Sequence, residues 1–146
     1  MTPLSAPLPK VPAMHHPWRA FRALTEWRLH WADLPDGLFG HVDHCTRVVT
    51  MSHGLSQAER RSTITHELEH IADPDACEDL VRRRTAERLI PFDDLVRAMV
   101  WAGDEHELAH ELWVDVGVAR DRLQWLTPAE SNELVRRLDL AELRNP

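Results

Sequence analysis

Cysteine is scarce in this sequence. Cys45 and Cys77 are the only two, and neither stands in a CxxC pair. This excludes a disulfide framework, and it argues against a thiolate metal site or dithiol redox chemistry. We expect both cysteines to be buried as small apolar residues.

Positive charge and long apolar runs are also in short supply. The chain has 17 Lys and Arg residues against 24 Asp and Glu residues, which gives a net charge of -7. Binding nucleic acid on a broad basic surface takes many contacts from Lys and Arg to phosphate, so nucleic acid is not the expected partner. No stretch approaches the roughly 18 apolar residues of a membrane span. We therefore expect no membrane partner and a cytoplasmic protein.

The composition of the remainder is that of one folded domain preceded by an arm. Residues 1–16 are rich in proline and lack a continuous apolar stretch, which predicts a flexible arm and not a signal peptide. Residues 17–146 are enough for a single domain with a single core. A hydrophobic content of 43% with 28% charged residues is ordinary for a globular protein.

Residue periodicity predicts an α+β fold that is mainly helical. Trp27, Leu29 and Trp31 alternate with polar residues and predict a strand, and two more short strands are expected within residues 38–43 and 45–51. A first helix is expected over residues 17–25. Ser56 followed by Glu59 is the pattern of a capping box, which predicts a helix from there to residue 72. Further helices are expected from about residue 75 to 90 and in four segments up to residue 143.

The predicted helix over residues 56–72 carries an HExxH motif, His66-Glu67-Leu68-Glu69-His70. A spacing of four places both imidazoles on one face of a helix, one turn apart, where they can bind Zn²⁺. Glu67 is displaced around the helix, so it can contact a water on the metal and take its proton as a general base. The motif predicts His66 and His70 as zinc ligands and Glu67 as the catalytic residue.

A second HExxH occurs at His106-Glu107-Leu108-Ala109-His110. Acidic residues stand directly beside this copy, whereas apolar residues flank the first one. Its Leu108, together with Leu112 and Trp113 beyond it, explains it as an amphipathic packing helix. We expect the first copy to be the metal site.

A catalytic zinc site needs a third protein ligand, usually a carboxylate in a thermolysin-like arrangement. Four carboxylates follow the first motif: Asp73, Asp75, Glu78 and Glu87. Asp73 and Asp75 fall in or near a turn, where Asp commonly caps a helix. Glu78 instead precedes an uncharged face at +3, +7 and +11 that should turn inward. We favour Glu78, and Asp73 and Asp75 stay open as replacements.

The sequence resembles the ImmA/IrrE metallopeptidases, a bacterial and phage-borne family of which some members cleave transcriptional repressors. The resemblance runs from about residue 17 to residue 138. Its most specific parts are Arg61-Ser62-Thr63-Ile64-Thr65-His66-Glu67-Leu68-Glu69-His70, similar to the family's R-x-T-x-x-HE-x-x-H helix, and Glu78-x-x-Val81 with Ala86-x-x-Leu89-Ile90-Pro91. Two departures are Arg84, where the family usually has Phe, and a short spacer between His70 and Glu78.

This resemblance implies a zincin-like domain with a small N-terminal sheet packed beside the HExxH helix. It implies zinc held by His66, His70 and Glu78, with Glu67 as the catalytic base. The activity would be that of a zinc-dependent endopeptidase acting on a protein or peptide, such as a transcriptional repressor or another regulatory protein.

Two other functions remain open. The protein could be a metal-stabilised interaction module without catalysis. Residues 108–123 also resemble a helix-turn-helix, which would bind DNA through its second helix. Asp115 and Asp121, however, place negative charge where phosphate would lie.

Overall fold

The computed structural model describes residues 15–144, which form seven helices and a three-stranded sheet. The predicted mainly helical α+β class is confirmed. Most of the arm predicted over residues 1–16 lies outside the described residues. The elements are α1 (Pro17–Ala23), β1 (Arg28–Ala32), β2 (Gly40–Asp43), β3 (Val48–Ser52), α2 (Gln57–Ala72), α3 (Glu78–Leu89), α4 (Phe92–Trp101), α5 (Glu105–Leu112), α6 (Val116–Gln124) and α7 (Pro128–Arg144).

The sheet has the order β1-β3-β2. β2 and β3 form an antiparallel hairpin in which His41 lies opposite Thr50, and β1 pairs with β3 in parallel, with Leu29 opposite Val49. The central strand β3 contains the β-branched run that favours extended backbone. Its Val49 and Met51 are fully buried. One face of the sheet is thereby fixed against the helices.

Helix α2 begins and ends where the sequence predicts. The Ser56 hydroxyl accepts a hydrogen bond from the Glu59 backbone N–H, and the Glu59 carboxylate accepts one from the Ser56 N–H, which completes the capping box. The helix ends at Ala72, and Asp73, directly before Pro74, is its C-cap residue. Fully buried Ile64 packs it on the sheet, where it contacts both β2 and β3.

Helix α3 begins at Glu78, a few residues later than predicted, because residues 73–77, which include Pro74, form a loop. Its inward face consists of Val81, Thr85 and Leu89, as the spacing predicts. The helix packs between α2 and α6. Glu78 therefore lies at the end of α3 that follows directly from α2.

Two clusters of buried apolar residues replace the single core expected from chain length. One lies between the sheet, α1 and α2 and includes Phe21, Met51 and Ile64. The other joins helices α3 to α6 and includes Leu95 and Ala119. The direct contact of α2 with α3 connects the two halves.

The prediction that both cysteines are buried is wrong. Cys45 and Cys77 are exposed free thiols. Cys45 lies in the turn between β2 and β3, and Cys77 is the residue that caps α3. Both residues lie in segments that connect secondary-structure elements, and such segments usually run over the surface.

Among the described helices, none is both long and apolar enough to cross a membrane.

Candidate metal centre

The two imidazoles of the first HExxH motif face each other on α2. His66 Nε2 lies 3.2 Å from His70 Nε2, and the ring centroids are 4.9 Å apart. The i,i+4 spacing produces this approach, since residues four apart lie above one another on a helix. Both rings are partly buried.

Glu78 closes the group from the first turn of α3. Its Oε1 lies 2.8 Å from His66 Nε2, and its Oε2 lies 3.0 Å from His70 Nε2. In the described part of the chain, these three residues are the group of His, Cys, Asp and Glu that could hold a metal ion. The short spacer after His70 is thus long enough for the carboxylate to reach both rings.

The spacing of these atoms fits a small tetrahedral ion. Ligand bonds of about 2.0–2.1 Å place neighbouring ligand atoms of a tetrahedron about 3.3 Å apart. The 3.2 Å between the two Nε2 atoms is close to that value. Glu78 offers a different carboxylate oxygen to each ring, and one ligand atom from each of the three residues lies within 4.8 Å of the other two.

Hydrogen bonds alone satisfy the group poorly. If each Nε2–H donates a hydrogen bond to the Glu78 carboxylate, neither Nε2 can accept one from the other, and two donor nitrogens lie 3.2 Å apart. A cation shared by the three side chains removes that conflict. Burial also lowers the pKa of His66, against the opposing effect of the Glu78 carboxylate. A lowered pKa favours the neutral imidazole, which is the form that binds metals.

Glu67 lines the same cleft as the two histidines and is only 4% exposed. Burial, and secondarily the charge of Glu78, raises the pKa of Glu67 to about 8. Raised pKa values of this kind are common among catalytic acids and bases. Glu67 is thus a buried carboxyl poised to exchange a proton near neutral pH.

The group opens into a cleft of about 680 Å³ between α2, the β2 strand and the start of α6. His41 and His44 are exposed and also line this cleft. Arg82 is the arginine in its wall. Its guanidinium donates to the Asp121 carboxylate, with Nε 3.1 Å from Oδ2 and Nη2 2.5 Å from Oδ1.

Gly40 allows β2 to pass directly over the HExxH helix. A Cβ at this position would lie 2.8 Å from Thr63 Cγ2, 3.0 Å from the Thr50 carbonyl oxygen and 3.3 Å from Glu67 Oε1. Such distances leave no room for a side chain. The absence of one at Gly40 therefore sets the distance between the edge strand and Glu67.

The other carboxylates considered as third ligands lie elsewhere. Asp73 Oδ2 accepts a hydrogen bond from Arg84 Nη1 at 2.8 Å, and Glu87 Oε1 accepts one from Arg83 Nε at 2.9 Å. Asp75 is exposed in the loop before α3. None of the three joins the His66 and His70 group within residues 15–144.

The second HExxH motif lies on α5 with both histidines exposed. Glu107 caps the start of this helix, because its carboxylate accepts from the Gly103 N–H at 2.7 Å while its own N–H donates to Asp104 Oδ1. No described carboxylate or thiolate joins His106 and His110 to form a metal-binding group. The motif has the geometry of an amphipathic packing helix with buried Leu108 and Ala109.

The segment that resembles a helix-turn-helix comprises α5, residues 113–115 and α6. Its second helix packs on α3. Arg120 pairs with Glu105, and Arg122 is buried, with Nε donating to the Ile90 carbonyl. Both arginines of α6 are thus engaged within the chain, which leaves little positive charge for phosphate.

Arg82, which lines the cleft, is not among the residues that the sequence singles out. Its only signal in the sequence is the i,i+4 spacing from Glu78, which puts both residues on one side of α3.

Comparison with protein-family models, with curated proteins and with solved structures finds no match to this chain.

Proposed function

We propose that this protein is a zinc-dependent endopeptidase similar to the ImmA/IrrE metallopeptidases, with a zincin-like arrangement of sheet and HExxH helix. One observation carries the proposal. His66, His70 and Glu78 bring three potential ligand atoms within 4.8 Å of one another, in a cleft that the buried Glu67 also lines.

The donor set favours zinc over other common ions. Two imidazole nitrogens and one carboxylate oxygen are the ligands of several catalytic zinc sites, whereas Mg²⁺ and Ca²⁺ prefer oxygen alone. When bound, Zn²⁺ supplies Lewis acidity, which lowers the pKa of water and polarises a carbonyl group. His66, His70 and Glu78 hold the ion and leave the cleft side of the group open to substrate.

Glu67 moves the proton in this reaction. Next to a divalent cation the pKa of Glu67 falls, because an opposite charge favours the carboxylate. That carboxylate takes a proton from water as the water oxygen attacks the peptide carbonyl carbon. It then passes the proton to the amine nitrogen as the C–N bond breaks.

Arg82 is the positive charge that faces this reaction. The attack places negative charge on the carbonyl oxygen of the substrate, and a fixed cation in the cleft wall stabilises it. The bidentate contact with Asp121 holds the guanidinium in one orientation. Asp121 is a positioning residue in this account.

The edge strand β2 offers a binding surface for an extended peptide. The Ser52 N–H donates to the Phe39 carbonyl at 2.8 Å, so Phe39 and Ser52 form a hydrogen-bonded pair. Such pairs alternate along an antiparallel ladder. Gly40 and Val42 consequently direct their backbone N–H and C=O groups away from β3. A substrate strand added at this edge would run past Glu67.

The resemblance also supports a substrate class. A transcriptional repressor, or another regulatory protein with an exposed extended segment, suits both the resemblance and an edge strand that binds backbone. We place the reaction in the cytoplasm, where such regulators act.

To test the proposal, the zinc-loaded full chain is incubated with a peptide library derived from whole-cell protein. The cleavage sites are mapped by mass spectrometry. Wild type should cut at reproducible sites, and Glu67→Gln should bind zinc but cut none of them. Zinc binding without any cleavage would favour the non-catalytic module. A steeply salt-dependent shift of duplex DNA would favour the DNA-binding alternative.

A further inference from the structure

A second cavity lies on the other side of the N-terminal half of α2, away from the candidate metal centre. It measures about 520 Å³ and is bounded by α1, by the first turns of α2 and by the loop after α5. We name it the Trp–Arg pocket after the residues that dominate its wall: Trp18, Trp31, Trp113, Arg19, Arg22, Arg60 and Arg61.

The charge of this pocket opposes that of the protein. The chain has a net charge of -7, yet no Asp or Glu lines the pocket. The four arginines come from two helices that contact each other, Arg19 and Arg22 from α1, and Arg60 and Arg61 from α2. They concentrate positive charge at one place on an acidic protein.

These arginines lack the carboxylate partners that most others have. Ten arginines of residues 15–144 form ion pairs with Asp or Glu. Arg19, Arg22, Arg60 and Arg61 form none within that part of the chain. Residues 1–14, 145 and 146 contain no Asp or Glu side chain that could supply one.

Arg60 and Arg61 are partly buried despite this, which is costly for an unpaired charge. The buried Arg60 Nε has no hydrogen-bond partner, and its guanidinium lies 5.1 Å from the centroid of Trp31. Arg61 lies 5.4 Å from the centroid of Trp113, and its Nη1 donates to the Trp113 carbonyl at 3.0 Å. The aromatic contacts hold both guanidinium groups at the pocket.

Trp113 adds a second unusual feature. Its φ of 54° places a bulky residue in the left-handed region at the end of α5, a position that usually holds glycine. The side chain is nonetheless 53% exposed, so burial does not explain it. Backbone strain of roughly 1–2 kcal/mol is common where a protein holds a residue for binding.

We propose that the Trp–Arg pocket binds a mononucleotide, that is, a small ligand with a planar ring beside a phosphate group. Arginine forks match the geometry of phosphate oxygens, and both indole and guanidinium planes stack on nucleobases. The volume suits a small molecule, since ligand pockets span about 300–1,000 Å³. This site does not depend on the proposed peptidase activity.

The test is isothermal titration calorimetry of the full chain with AMP and UMP, alongside adenosine, uridine and inorganic phosphate as separate probes. Each mononucleotide should bind at least about tenfold more tightly than its nucleoside and than phosphate alone. The mononucleotide binds more tightly than either part alone only if the pocket contacts the ring and the phosphate of the same molecule.

Variants localise the site and separate it from the metal centre. Arg19→Gln combined with Arg22→Gln changes exposed side chains of α1 and should raise the Kd of the mononucleotides at least about tenfold, as should Arg60→Gln. Arg136→Gln, an exposed arginine of α7 paired with Glu133, is the matched control and should bind normally. His66→Ala should also bind normally, whatever the fate of the peptidase proposal.

Three results overturn the proposal. The first is that neither mononucleotide binds more tightly than its nucleoside or phosphate, and the second is that Arg136→Gln weakens binding as much as the pocket variants do. The third is tighter binding of an acidic peptide than of AMP and UMP, lost in the same pocket variants. The pocket would then be a docking site for a protein.

Discussion

The carboxylate of Glu78, the first residue of α3, lies 3.0 Å from Nε2 of His70, near the end of α2. This contact joins two consecutive helices across the loop of residues 73–77, and the other carboxylate oxygen reaches His66 at 2.8 Å. Two helices therefore supply three potential ligand atoms that lie within 4.8 Å of one another. A rigid pair of helices is a favourable scaffold for a metal site, because the ligands are held in place before the ion binds.

Removing a ligand should remove zinc binding selectively. We expect His66→Ala and His70→Ala to weaken zinc binding by more than the roughly 10–100-fold that the loss of an outer-shell partner costs. Glu78→Gln should weaken it as well, because the amide lacks the negative charge. Competition titration with a chelating dye measures these affinities. His106→Ala is the matched control from the second HExxH and should bind like wild type. Equal loss in His106→Ala would contradict the assignment.

The buried carboxyl of Glu67 should make stability depend on pH when zinc is removed with EDTA. Its pKa rises from 4.5 in the unfolded chain to about 8 in the folded one. The folded state therefore binds the proton more tightly, so the contribution of Glu67 is fully present below about pH 4.5 and is lost as the pH rises towards 8.

The Gln side chain of Glu67→Gln does not ionise. The free energy of unfolding of this variant, relative to that of wild type, should therefore increase from pH 5 to pH 8. We expect a gain of roughly 2–4 kcal/mol over that window, from urea unfolding at several pH values. Glu107→Gln, at the same place in the second motif, should show no such trend. If the free energy of unfolding varied with pH in the same way for wild type and Glu67→Gln, the raised pKa of Glu67 would be refuted.

Gly40→Ala should be damaging although it adds one methyl group. The new Cβ would press on the Thr50 carbonyl oxygen, which is backbone and cannot rotate away. We expect a loss of about 1–3 kcal/mol in the free energy of unfolding, measured in urea. Gly103→Ala is the control, because its close neighbour is the flexible end of Glu107. Equal midpoints for both variants would show that β2 has room to shift.

Arg82 should affect turnover more than metal binding. Arg82→Lys keeps a positive charge near Asp121 but loses the bidentate contact. On the proposed mechanism, kcat should fall by about 10²-fold while KM and zinc affinity change little. The control is Arg83→Lys on the exposed side of α3, where the arginine pairs with Glu87. A change confined to KM would assign Arg82 to substrate binding instead.

Local signals in the sequence predicted much of this structure. The Ser56 and Glu59 capping box marked the start of α2, and the i,i+4 spacing placed His66 and His70 on one face. The uncharged face of α3 singled out Glu78 among four carboxylates. Each of these inferences depends on residues within a few helical turns, where geometry follows directly from spacing.

Long-range features were not predictable in this way. The parallel pairing of β1 with β3 joins segments far apart in sequence, and no turn residue encodes it. The exposure of Cys77 depends on where α3 begins, and the position of Arg82 in the cleft depends on how α3 packs against α6. The Trp–Arg pocket likewise forms only when α1, α2 and the loop after α5 come together.

The most direct measurement of the central claim is anomalous X-ray scattering at the zinc edge from crystals of the zinc-loaded protein. We expect one strong peak per chain, about 2.0–2.2 Å from His66 Nε2, His70 Nε2 and a carboxylate oxygen of Glu78. A peak beside His106 and His110, or no peak at the His66 group in a zinc-containing crystal, would contradict it.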